Sequence, residues 1–174
     1  MSDQPHAAAD DLIDRLVGLA PDSKTYAVRH HREKVAVATQ GSYDALFDPA
    51  LPGLSLIERL LVALYASRLT PSAELAAHYR DGLVAANADT AMVALIEHGD
   101  IAQIADTRLA ALLDFTRKLI ENPVEGDKAA LQKLPAAGIS TPAIVTLSQL
   151  IAFLSYQIRL VAGLKAMKAL ENAA

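Results

Sequence analysis

Glu58, Glu74 and His78 are the residues whose types and spacing suit chemistry. Glu58 shares a strip with Val62, Tyr65 and Leu69 at helical spacing, so it points with apolar residues. Arg59, Ala63, Ala66 and Thr70 make the mildest, most polar strip of the same segment. A partly buried carboxylate is harder to ionise, which fits it for proton transfer near neutral pH. Glu74 and His78 stand four apart and are neighbours on one helix face. A carboxylate beside an imidazole orients the ring and favours its charged form. Tyr65 or Arg68 would orient a substrate, and Arg68 or Arg80 would meet an anionic one. The structural alternative stays open. Glu74 and His78 also read as an exposed pair worth a few tenths of a kcal/mol, and Glu58 as the ion-pair partner of Arg68 or of residues near Arg59.

The other histidines offer less. His30-His31 lies among Arg29, Arg32, Glu33 and Lys34. Adjacent side chains point to different helix faces, and zinc pairs on helices sit at i and i+4, so these residues read as a solvated polar face. His98 before Gly99 suits a helix C-terminus, where a positive charge is favoured. No Gly-rich phosphate loop, no nucleophile elbow and no metal-ligand cluster is present in the sequence.

Helices must position these groups. Alanine fills 34 of 174 positions and leucine 26, whereas valine and isoleucine together reach 20. That balance favours helices over a sandwich, barrel or parallel sheet. Proline and glycine punctuate about eight helices. Residues 1–9 read as a frayed tail, followed by a helix over 10–19. A second is expected from a cap at Asp22 or Ser23 to about Thr39, broken by Gly41, with a short turn over 44–47. A third runs from Ser55 to Leu69. Thr70 and Pro71 suit the N-cap and first position of a fourth, which ends near Ala86. A short helix follows over 90–97, then one or two helices over 100–122 stopped by Pro123, a short one over 128–133, and a last one over 142–170. The fold class is all-α: a multi-helix bundle with an N-terminal helical extension. Residues 1–25 form the tail and first helix, and 26–174 the main domain.

Composition narrows the function. The net charge is −4, and phosphate-binding surfaces are basic, so nucleic acid is not an expected partner. No cysteine is present, which removes disulfides, thiolate metal sites and thiol redox chemistry. The first residues lack a basic and then apolar leader, and the chain is expected to be cytoplasmic. Residues 134–158 carry no charge but contain Pro, Gly, Ser, Thr and Gln, and read as a core helix of a soluble protein rather than a membrane span.

The segment Ile57-Glu58-Arg59-Leu60-Leu61-Val62-Ala63-Leu64, followed by Glu74-Leu75-Ala76-Ala77-His78, resembles the carboxymuconolactone decarboxylase and alkylhydroperoxidase D superfamily. Leu113–Leu119, Asn122-Pro123, Leu134–Ser140 and Leu150–Arg159 are similar to its peroxidase-related branch. The resemblance covers about residues 26–165. It implies an AhpD-like helical fold, a homo-oligomer from dimer to hexamer, and a pocket near the Glu and His helices. In the decarboxylase branch it implies cofactor-free acid–base catalysis on a small organic acid or lactone, with Glu58, Glu74 and His78 as catalytic residues.

The peroxidase members carry Cys-x-x-Cys-x-x-x-His. Counting back from His78, the thiol positions fall on Pro71 and Glu74. Peroxide reduction by a thiolate is therefore excluded. Two readings remain: an acid–base enzyme without cofactor or metal, and a non-catalytic oligomeric scaffold or partner whose redox site has decayed.

Overall fold

The computed structural model describes residues 11–173. Nine α-helices and two 3-10 turns make up the described residues, and no strand occurs among them. The expected all-α bundle of about eight helices is what the chain forms. The expected frayed tail, and His6 within it, lie outside the described residues.

The chain divides into two compact units. One contains the chain up to Ala45 together with Arg159 onward. It holds α1 (Leu12–Val17), α2 (Lys24–His30), most of α3 (Glu33–Phe47) and the last part of α9 (Thr141–Asn172). The expected break at Gly41 does not occur. The helix pauses instead at His31 and Arg32, then runs through Gly41. A glycine costs a helix only about 1 kcal/mol, and tertiary packing readily offsets that.

Polar side chains from the end of α9 hold α1 and α2. The Lys168 ammonium donates to the carbonyls of Val17 (3.0 Å) and Gly18 (2.7 Å), at the C-terminus of α1. The Glu171 carboxylate accepts from the backbone N–H groups of Lys24 (2.7 Å) and Thr25 (3.0 Å), at the N-terminus of α2. Each charge has the sign that the helix end favours. The reading of residues 29–34 as a solvated face fails at Arg29. Its side chain is only 3% exposed and pairs with Asp11 and Asp14 at 2.7 and 2.6 Å. His30 Nε2 lies 2.7 Å from Asp14, and its ring stacks on Tyr26.

The second unit spans Leu46–Ile158. It holds α4 (Leu56–Leu69), α5 (Ala73–Ala85), α6 (Thr90–His98), α7 (Thr107–Glu121), α8 (Lys128–Ala136) and the start of α9. Ser55 and Glu58 form a capping box at the start of α4. Thr70 closes α4 rather than opening α5, because its N–H still reaches the Ala66 carbonyl. Ser72 is the N-cap of α5. α4 is the central helix: every residue from Arg59 to Ser67 is buried. The expected polar strip through Arg59, Ala63 and Ala66 is therefore inside. Arg59 is 0% exposed and donates to the carbonyls of Leu46 (2.7 Å), Asp48 (2.9 Å) and Ser55 (3.3 Å).

α9 is long and apolar enough to cross a membrane by length and composition. Within the fold, 44% of its most apolar 18-residue window is buried. Ala143, Leu147, Leu150, Leu154 and Ile158 form its inward stripe. Val145, Gln149, Ala152 and Tyr156 form an outward, uncharged one.

Candidate functional site

The three-residue link over 70–72 makes α4 and α5 an antiparallel hairpin. Gly82 fixes its register, since a Cβ there would lie 3.1 Å from Leu60 Cδ2. With Leu60 abreast of Gly82, His78 lies abreast of residue 64. Glu58 is then six residues further along α4, about 9 Å at 1.5 Å per residue. The acid and the imidazole sit at different levels of the hairpin.

The Glu58 carboxylate is held in place by both of its oxygens. Oε2 accepts from the Ser55 N–H at 2.6 Å, and Oε1 accepts from Arg108 Nε at 2.6 Å. The same guanidinium donates to the carbonyls of Gly138 (3.0 Å) and Gly53 (2.8 Å). One side chain of α7 thus ties the first turn of α4, the loop before it and the turn before α9. Gly53 has φ +91° and lies against Ala143, so a glycine is needed there.

Arg68 also does structural work. It donates to the carbonyls of Glu97 (3.1 Å) and His98 (2.9 Å), the C-terminal end of α6. Those carbonyls have no partner inside their own helix, and a cation is the natural one. His98 Nδ1 lies 2.7 Å from the Ala94 carbonyl in the same last turn. Arg80 pairs with Glu97.

Glu74 and His78 are half-buried on α5, one turn apart. The His78 ring meets Tyr79 edge-on at 5.1 Å. Tyr79 is fully buried and its hydroxyl shares a 2.5 Å hydrogen bond with Gln157 of α9.

Tyr65 is 4% exposed, and burial raises its phenol pKa. The charged groups acting on it are Arg117, Glu121 and Asp114 of α7, and Arg68. Asp114 is held below the usual carboxylate range, despite partial burial that acts the other way, by Lys118 and Arg117. Its neighbours are Arg117 at 3.0 Å, Lys118 at 2.9 Å and Lys133 at 4.0 Å.

The five residues singled out from the sequence therefore occupy several places. Glu58 stands at the α4–α7 bridge, Arg68 at the end of α6, Tyr65 facing α7, and Glu74 with His78 on α5. The sequence reading missed Arg108, Arg59 and the α7 charge cluster. The spacings Asp114–Lys118 and Arg117–Glu121 were available as a signal of the last. A cleft of about 480 Å³ between the end of α5 and α6 is lined by Arg80, Leu83, Val84, Asn87, Val93 and Glu97 among others. Among the described residues no group of three or more His, Cys, Asp or Glu could hold a metal ion. No protein-family model matches the chain, and no curated protein matches it.

Proposed function

We propose that the chain is a cysteine-free relative of the carboxymuconolactone decarboxylase and alkylhydroperoxidase D superfamily that works as a non-catalytic assembly partner. The observation that carries this reading is the state of Glu58. Its two oxygens are spent on the Ser55 N–H and on Arg108, so the carboxylate acts as a structural pin rather than a base for His78. The absence of cysteine adds to this, since the sulfur that thiol peroxidases need is missing. The assembly is of this chain with itself, dimer to hexamer, in the cytoplasm. The uncharged outward stripe of α9 supports it: Val145 is 52% exposed and Tyr156 43%.

Light scattering at micromolar concentration tests the reading. An integral multiple of 18.5 kDa is expected, falling toward the single-chain mass in Val145→Asp. A wild-type protein at the single-chain mass would overturn it.

A second reading keeps catalysis. Glu74 and His78, one turn apart and half-buried on α5, favour acid–base work on a small organic acid or lactone. Turnover of such a lactone that His78→Ala abolishes would replace the assembly reading.

A further inference from the structure

We propose that the cleft between α5 and α6 is a binding site for a small uncharged organic molecule with an apolar body and one hydrogen-bonding oxygen. The site goes beyond the assembly reading and does not depend on it.

Two facing stripes build the cleft. Along α5 and the turn that ends it stand Arg80, Leu83, Val84 and Asn87, at i, i+3, i+4 and i+7. Along α6 stand Thr90, Val93, Ala94 and Glu97, at the same spacing. The chain reverses over 86–89, so Asn87 and Thr90 lie at the turn end of the cleft. Arg80 and Glu97, which pair with each other, lie at the far end. Residues 90 and 97 are about 10 Å apart along the axis at 1.5 Å per residue. Asn87 makes the turn at φ +54°, a left-handed value that asparagine accepts at a helix end. The side chains between the two ends are short. They leave a cleft of about 480 Å³, where packed helices ordinarily interdigitate without a gap. Leu83 is fully buried and Val84 is 67% exposed, so the apolar lining runs from the core to the surface.

The lining selects the class of occupant. Its charged residues are Arg80 and Glu97, and each already has the other as partner. A charged ligand would break that pair or lie unpaired against apolar side chains, and either is costly. An apolar body suits the middle of the cleft, where Leu83, Val84, Val93 and Ala94 stand. At the turn end Asn87 and Thr90 bring an amide and a hydroxyl, which can donate to or accept from one ligand oxygen. The volume falls in the range of small-molecule sites, about 300–1,000 Å³. An apolar lining with a few polar groups at one end is the usual composition of such sites.

Titration of the full chain followed by NMR tests the site, with three probes on one skeleton: cyclohexanol, cyclohexanecarboxylate and cyclohexylammonium. Saturable shifts of the Leu83, Val84 and Val93 methyl resonances are expected with cyclohexanol, at about millimolar affinity. The two charged probes are expected to bind about tenfold more weakly or not at all. Val84→Asp, at an exposed side chain, is expected to abolish the shifts at Leu83 and Val93. Asn87→Gly keeps the left-handed turn, removes the amide, and is expected to weaken binding about tenfold. Absence of saturation with cyclohexanol, tighter binding of either charged probe, or unchanged affinity in Val84→Asp would overturn the proposal. So would shifts of the same resonances that follow protein concentration without any probe, since a second copy would then occupy the cleft.

Discussion

Arg108 Nε and Glu58 Oε1 lie 2.6 Å apart, and this contact bolts the start of α7 to the start of α4. Neither group is free for chemistry, because Arg108 also spans Gly53 and Gly138 and Glu58 also closes its own helix. Glu58→Ala removes both the pair and half of the capping box, and is expected to cost about 1–3 kcal/mol. Chemical denaturation of Glu58→Ala, Arg108→Ala and the double variant measures it. Strong non-additivity is the expected result, and independent effects would contradict the bolt.

Arg59 is the least replaceable charged residue of α4. Burial lowers its guanidinium pKa, with Asp48 and Glu58 partly opposing. Arg59→Met keeps the volume and removes the donors to Leu46 and Asp48. Both carbonyls are only partly buried, so a loss of about 1 kcal/mol for each one left unpaired is expected. Thermal unfolding checks it; a neutral substitution would show that water replaces the guanidinium.

Gly99 closes α6 at φ +81°, and a Cβ there would collide with the Arg68 guanidinium. Gly99→Ala is expected to destabilise by about 1 kcal/mol from backbone strain alone, and more from the clash. In an Arg68→Ala background the clash disappears and only the strain remains. Comparing the two costs in one unfolding assay separates them.

Glu171 is held below the usual carboxylate range by the Thr25 hydroxyl and the N–H groups of Lys24 and Thr25. Its folded pKa is depressed, so its contribution is present above the unfolded value and is lost as pH falls through the lowered one. The backbone amide resonances of Lys24 and Thr25 should titrate together, with a midpoint below that of an ordinary glutamate. Glu171→Gln should abolish that response. A midpoint at or above the ordinary value would contradict the contact.

The sequence alone determined the helical class and most helix limits. Alanine and leucine supply the propensity, and Pro71, Gly99, Pro123 and Gly138 interrupt the chain at local points. These are near-neighbour effects, and the residues beside each break contain the information. The lack of cysteine settled the fate of thiol chemistry in the same direct way. Only the tertiary structure decided which way α4 faces. Its apolar residues nearly encircle it, so periodicity gave no single inward side, and Arg59 rather than Glu58 went into the core. It also decided the partners of Glu58 and Arg68. Those partners lie 50 and 29 residues away along the chain. Spacing within one helix carries no record of which distant helix will pack against it. The charge at Glu58 was legible as a residue with work to do; that the work is to hold α7 became visible only when the helices were packed.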